Sequence, residues 1–528
     1  LAAKLFSAIR GPFSVPIFRN VWCAGVFSNV GSMIQTVAAA WVMSSLTRNA
    51  ATVALVQTMT SAPLMLFALV SGSIADLYDR RNVTLLALGI SMAGATAMAA
   101  FTIAGLLTPM LILALCFLTG CGATLFGPAW QASVRDQVPR EHLQAAIVLN
   151  SISFNLGRSL GPAAGGVIVA LAGATWAFVI NAVTFVPLFV ALLFLRSAAS
   201  VRMGARENLV RVVSVGFRFL SNTPVIWKTT TRAFLQSFGN SAVLAVMALY
   251  VRDDLHGDAR DYGIVLAVFG LGAIGGAGIL PSIQHKFDRE GLIRLPAIAM
   301  AIVLLVLGVS RSLLVTSVVL LPAGAAWTIA SSTFSFAIQT TAPPWVAGRA
   351  LAAFQMAIAA GLALGSWFWG MVAGYAGISG SILWAAVFCT VSPLAALWFR
   401  MPEPGEARLG EPSTVSNPEL DGTIDGRAGP ITIQVAYRIA PDGTDAFRSL
   451  MEDVRVVRLR NGAGRWTIGR DLADIELWLE RFVFPTWNDY LWYRDRVTIG
   501  ERRVIARVRR MHIGNGPPQT SRLIERSC

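Results

Sequence analysis

Twelve long apolar runs, separated by short polar breaks, fill the chain as far as Arg400. Their limits lie near 20–45, 50–72, 83–106, 109–130, 143–172, 174–195, 226–251, 262–282, 292–310, 313–339, 349–375 and 379–400. A helix of about 20 apolar residues matches the hydrocarbon thickness of a bilayer. In lipid every backbone polar group must be satisfied within the chain, so each run is expected to fold as a helix. Only 14% of the 528 residues are charged, against about 25% in soluble proteins. The deficit is local, because Met401 to Cys528 is rich in Arg, Asp and Glu. The predicted fold class is an all-α membrane protein of twelve transmembrane helices in two six-helix halves, followed by a small soluble α+β domain. The fifth and sixth runs are divided only by Ala172-Gly173-Ala174, which predicts a tight hairpin.

Basic residues set the expected orientation. Arg80, Arg81, Arg135, Arg140, Lys286, Arg289, Arg294 and Arg349 fall in connections that share one side. The stretch between runs six and seven adds Arg196, Arg202, Arg206, Arg211, Arg218 and Lys228. The opposite side holds only Arg48, Arg252, Arg260 and Arg311, beside four aspartates from Asp253 to Asp261. Cytoplasmic connections carry the excess of Lys and Arg, so both termini are expected in the cytoplasm of an inner-membrane protein. The net charge of +14 is then a matter of topology and gives no reason to expect nucleic acid. Four of the five cysteines lie in apolar runs without paired spacing, so neither a metal site nor disulfides are expected. No removable signal is expected within residues 1–19. No Gly-x-x-x-x-Gly-Lys loop is present, and no cofactor is expected.

The expected divisions are 1–195, a linker 196–228, 229–400, a flexible linker 401–429 rich in Pro and Gly, and a tail domain 430–528. Within the first linker, Glu207 to Leu220 is amphipathic and predicts a helix lying on anionic lipid. The densest charge beside an apolar run is Gly72-Ser-Ile-Ala-Asp76-Leu-Tyr-Asp79-Arg80-Arg81. Such charge is tolerated at a membrane surface, where it has work to do. A related but weaker segment, Gly278 to Ser282 with Lys286 and Arg289, stands at the matching place in the second half. Further on, Gly157, Gly161 and Gly165 recur at spacing four with Pro162 among them, a small-residue face suited to close helix packing.

These motifs resemble the major facilitator superfamily. The first is its loop between helices two and three, with Leu77 and Asp79 replacing an Arg and a Gly of the usual pattern. The second is similar to the end of its antiporter motif. Val37 to Trp41, Asp79 to Arg81, Val138 to Leu143 and Asn150 to Asn155 resemble the enterobactin-exporter-like branch, also called transmembrane secretion effectors. The resemblance implies a gate at Gly72, Asp76, Arg80, Arg81, Gly157, Gly161, Pro162 and Gly165. It also implies export of a siderophore or hydrophobic drug-like compound by proton antiport, without enzyme activity, and a cavity lined by helices one, four, seven and ten.

Three of those helices carry polar stripes: Asn29, Ser32, Gln35 and Thr36; Arg232, Gln236 and Asn240; and Thr328, Ser331, Ser332, Ser335 and Gln339. Polar side chains in lipid face a cavity or another helix. Asn29, Gln35, Arg232, Gln236 and Gln339 are the expected substrate contacts, with interhelical bonding as the alternative. Arg158 lies mid-run and is expected either to bind an anionic group or to brace helix carbonyls. The runs hold no carboxylate, leaving Asp76, Asp79, Asp136 and Glu141 at the edge and the proton relay without an evident residue.

The tail reads strand, helix, two strands, two helices and a last strand near Gln519 to Ile524, a ferredoxin-like order. It resembles the dimeric α+β barrels of antibiotic-biosynthesis monooxygenases, which implies a homodimer through the tail. Trp487, Asn488 and His512 are candidates for a catalytic set in that resemblance. The alternative is a docking module with a core of Trp466, Trp478, Trp487 and Trp492. The competing readings of the whole are a membrane-anchored enzyme or a sensor.

Overall fold

The computed structural model describes residues 11–194, 224–341, 347–390, 393–394, 425–426, 428–496 and 499–525. Among the described residues six long helices come first: α1 Pro16–Leu46, α2 Ala50–Leu77, α3 Arg80–Ile103, α4 Pro109–Gln137, α5 Leu143–Ala172 and α6 Ala174–Leu193. Then follow α7 Pro224–Leu249, extended by a π-helical turn at Tyr250–Asp254, α8 Ala259–Ile283, α9 Gly291–Val309, α10 Leu313–Thr341 and α11 Ala347–Cys389. Ten of the described helices are long and apolar enough to cross a membrane. The polar run from Asn150 to Ser159 belongs to α5, which is not among the ten. Helix α11 counts once, although Gly377 breaks it at φ 77° into the eleventh and twelfth expected runs. The twelve-run order is thus recovered. The amphipathic segment Glu207–Leu220 and residues 395–400 of the last run lie outside the described residues.

Local chemistry sets the helix ends. The Asn49 side chain accepts from the backbone N–H groups of Ala51 and Thr52 at the start of α2, and Thr108 caps α4. Asp258 and Asp261 form a capping box on α8, which satisfies donors that a helix start leaves open. Pro16 and Pro109 occupy first turns, where no N–H is needed. Gly173 turns α5 into α6 at φ 83°, a conformation that favours a residue without Cβ. Leu66, Leu86, Leu171 and Ile302 are each more than half exposed, an arrangement suited to a lipid solvent.

The chain divides into two compact units, one formed mainly by the membrane helices and one centred on the tail. The tail consists of β1 Ile431–Arg438, α12 Thr444–Arg460, β2 Gly464–Arg470, β3 Leu477–Phe484, α13 Trp487–Arg496, α14 Ile499–Arg510 and β4 Gln519–Ile524. Its antiparallel sheet has the order β2-β3-β1-β4, with Ile431 opposite Phe484 and Ile524. This is the predicted ferredoxin-like order with the second helix split in two. Phe447, Met451 and Val454 of α12 pack on Ile433, Tyr437, Trp478 and Phe482. Alternate residues of β1 and β3 point to one face of the pleat, which places their largest side chains under the helices.

Candidate functional site

The two sets of membrane helices meet on a seam of small residues. A Cβ built on Gly166 of α5 would run into Gly263 of α8 and come within 2.8 Å of the Ala259 carbonyl. One built on Gly263 would lie 2.6 Å from Gly166 Cα and 3.0 Å from the Pro162 carbonyl. On the other flank, Gly370 of α11 sits against Ala54, and its Cβ would lie 3.1 Å from Ala51 Cα. The Thr58 hydroxyl donates to the Ala363 carbonyl at 2.9 Å, and Trp41 stacks on Tyr262 with ring centres 6.0 Å apart. These contacts all lie within a few turns of the end that carries the Gly173 and Gly377 turns. Backbones approach this closely only where Cβ atoms are absent or small.

The spacing-four glycines act one step around the same helix. A Cβ on Gly157 would stand 2.8 Å from Asn29 Cβ, Gly161 abuts Met33, and a Cβ on Gly165 would stand 3.0 Å from Ile34 Cα. Helix α5 therefore beds on α1 of its own set with one face, while Gly166 meets α8 of the other.

At the opposite end, the charged motif braces helix ends within the first set. Arg81 donates from Nε to the Leu192 carbonyl at 3.0 Å and from Nη2 to the Leu193 carbonyl at 2.6 Å, closing α6. Arg80 Nη1 reaches the Ala132 carbonyl near the end of α4 at 3.3 Å. Cations at helix C-termini satisfy orphan carbonyls and suit the dipole. Asp79, in place of the usual glycine, caps α3 through the Asn82 N–H at 3.0 Å. Gly72 has no neighbour within 4 Å of a built Cβ. The Asp76 side chain lies outside the described residues.

The polar stripes divide. In the first set Asn29 donates to the Ser153 hydroxyl at 3.0 Å, while the Gln35 side-chain oxygen accepts from the Asn181 amide. Both amides bridge helices. In the second set Gln236, Asn240, Trp327, Ser331, Phe334 and Ile358 line a small hollow between α7, α10 and α11. Arg232 departs from expectation. It is wholly buried in an ion pair, with Nη1 2.8 Å from Glu290 Oε2, and Arg294 Nε lies 3.1 Å from the other oxygen. Its charge is answered inside the protein, which does not suit the expected contact with substrate. Glu290 stands at the head of α9, just outside the ninth apolar run, and so adds to Asp76, Asp79, Asp136 and Glu141 a further carboxylate at the edge of the helices. Arg158 is half-buried, its guanidinium 5.8 Å from the Phe154 ring centre. Gln339 is exposed in the last turn of α10.

In the tail, the Trp487, Asn488 and His512 set does not assemble. The Trp487 and Asn488 N–H groups bond to the Ala428 and Gly426 carbonyls ahead of β1, whereas His512 Nδ1 accepts from the Arg438 N–H at its far end. The eight residues of β1 separate these points by roughly 20 Å. The tail core instead holds an ionic knot. Glu480 accepts from Arg458 at 3.0 and 3.2 Å, from the Tyr437 hydroxyl at 3.0 Å and from Trp466 Nε1 at 3.0 Å. Arg458 also donates to the Tyr493 hydroxyl and lies over Phe482, 4.4 Å from the ring centre. Burial, reinforced by Glu480, pushes the Tyr437 phenol well above its ordinary value. Burial likewise raises Tyr493. Burial opposes the Arg458 cation, but Tyr493 and Glu480 outweigh it and hold the group charged. Trp478 and Trp487 are buried as expected; Trp466 is partly so, and the Trp492 side chain lies outside the described residues.

Comparison with known proteins places these features in context. Enterobactin exporter EntS of Citrobacter koseri is 28% identical over 284 residues, which is 53% of this chain and 66% of that protein. EntS of Salmonella typhimurium is 29% identical over 284 residues, 53% of this chain and 67% of its own length. The chain thus spans about two thirds of the length of the curated relatives it matches. Among solved structures, an inward-facing, occupied bacterial homologue of the human lysosomal transporter Spinster superposes with a TM-score of 0.59 at 14% identity, over 74% of this chain and 97% of that one. Inward-open XylE of E. coli gives 0.58 at 13% identity, over 74% and 98%. Those two likenesses concern the fold alone. The family model described as transmembrane secretion effector matches residues 7–528, the tail included. This chain belongs to the transmembrane secretion effector family.

Proposed function

We propose that the protein is a secondary exporter of a small organic compound, a siderophore or a hydrophobic drug-like molecule, working by alternating access with proton antiport. The seam is the observation that carries the reading. Two six-helix sets joined by backbone contacts near one end form an element with two packings, closed there or parted there. Both termini and the tail lie on the cytoplasmic side in this proposal, as the basic connections favour. Substrate meets Asn29, Gln35 and Gln236 near mid-helix, while Gly72, Asp76, Arg80 and Arg81, with the α5 glycines and Pro162, govern the change of state. Arg158 serves an anionic group of the substrate. The tail is a docking module whose fully exposed edge strand β4 offers a surface for a second copy.

The test is export of labelled siderophores and hydrophobic dyes into inverted vesicles under an imposed pH gradient. Wild type should accumulate the compound only with the gradient. Asp76→Asn and Arg158→Ala should each slow uptake about ten-fold or more, the size of a few kcal/mol in a conformational or binding balance. Gradient-independent accumulation would remove antiport from the proposal. Unchanged uptake by Arg158→Ala would return that residue to packing.

A further inference from the structure

The tail divides its charge unevenly. Between residues 430 and 498 ten arginines are balanced by ten Asp and Glu residues, whereas α14 alone carries five arginines against the single acid Glu501. Glu501 is turned inward: it is 4% exposed and accepts from the Asn461 amide at 2.8 Å. Val508 is buried in the tail core, with Val504 and Ile505 packed against it. At about 3.6 residues per turn, Arg503, Arg507 and Arg510 line one stripe down the opposite side of the helix. All three are exposed, and Ala506 lies exposed beside them. The tail's ion pairs join Arg438 to Asp474 and Glu476, Arg455 to Glu452 and Arg458 to Glu480; among the described residues none reaches the stripe.

We propose that this stripe is a docking face for anionic lipid, which seats the tail on the membrane that its own chain crosses. The charges are complementary, since a row of guanidinium groups meets a leaflet whose headgroups carry phosphate. Arginine suits that partner, because its planar fork donates to two phosphate oxygens at once. The tether favours it too: a tail joined to membrane helices meets lipid at high effective concentration. Insertion plays no part. A helix that inserts has its apolar face free for the acyl chains, but α14 has that face buried in the tail core. The attraction is therefore electrostatic, and salt should abolish it. Only the cytoplasmic side of the tail, where anionic lipid is found, is taken from the function proposed above.

Arginine footprinting with p-hydroxyphenylglyoxal, read by mass spectrometry, tests this on the full-length chain in lipid nanodiscs. One set of discs holds phosphatidylcholine alone. The other mixes it with phosphatidylglycerol in both leaflets, so the result does not depend on which side the tail occupies. At low salt Arg503, Arg507 and Arg510 should react about ten-fold more slowly in the anionic discs, in keeping with the pull of such a surface on several cations. Arg481, exposed on the sheet face turned away from the helices, should react equally in both. About 1 M salt, where the screening length falls to about 3 Å, should return the stripe to its phosphatidylcholine rate. Arg507→Glu should free Arg503 and Arg510 in the anionic discs, and the wild-type comparison needs no variant. Equal rates in the two discs would overturn the proposal, as would shielding that survives salt or Arg507→Glu. Shielding of the stripe in phosphatidylcholine alone would mean that protein covers it, and would overturn it as well. Single-stranded DNA that shields the stripe where anionic lipid does not would assign the face to nucleic acid and refute the lipid reading. No gradient or substrate is involved, so a failure of vesicle export leaves this result standing.

Discussion

Glu480→Ala should destabilise the tail by about 3–5 kcal/mol, because it strands a buried guanidinium. Arg458 would lose both carboxylate bonds, and Tyr437 and Trp466 their acceptor. A domain of this size commonly has about 5–15 kcal/mol in all, so the variant should be close to unfolding at room temperature. Urea denaturation of residues 425–528, which carry their own core, measures the loss through the fluorescence of Trp466 and Trp478. An unchanged midpoint would show that the knot is not what holds the helices to the sheet. The same knot has a pH signature. Tyr437 and Tyr493 are raised by burial, so the fold favours their neutral phenols. That contribution is complete below about pH 10, the unfolded tyrosine value, and is lost as pH climbs through the folded values. Alkaline titration should therefore unfold the tail, while titration toward neutrality should leave these groups unmoved.

Gly166→Leu should slow transport sharply. Any side chain there collides with Gly263 and the Ala259 carbonyl, atoms of the main chain that cannot swing aside. Overpacking of this kind costs about 1–3 kcal/mol, which shifts a two-state balance by roughly 5- to 150-fold toward the parted seam. Export in the vesicle assay should fall by a comparable factor. The structural readout is a thiol at Thr58→Cys, at a site where the closed seam buries Thr58. An impermeant maleimide should label it at least about ten-fold faster when Gly166→Leu is also present. Fast labelling without the leucine would mean that the seam is open in the resting protein.

The helices could be read from the sequence because hydropathy, length and glycine punctuation agreed: Gly173 and Gly377 turn the chain where the apolar runs break. The tail was legible for a similar reason. Its apolar residues alternate along β1 and recur at helical spacing in α12, and each pattern fits one element. The site was less legible. Stripe position alone could not distinguish Gln236, which faces a hollow, from Gln35, which bridges to Asn181. The difference lies in what the next helix offers. The pairing of Arg232 with Glu290 was not legible, because that partner is 58 residues away and sits in a run of loop-like charges. Trp487, Asn488 and His512 have suitable chemistry, but strand length holds them apart. Nothing in the spacing marks Gly166 out beside the more regular Gly157, Gly161 and Gly165, although it is the glycine of that motif that touches the other set.

The makeup of the seam has a consequence for how such a protein diversifies. Its closest contacts are between main-chain atoms and residues with little or no side chain, and Gln236, Trp327 and Phe334 take no part in them. Side chains at those positions can be exchanged while the closing surface stays as it was. A lineage built on this helical frame can therefore vary the interior of its bundle without rebuilding the contacts on which the two sets close.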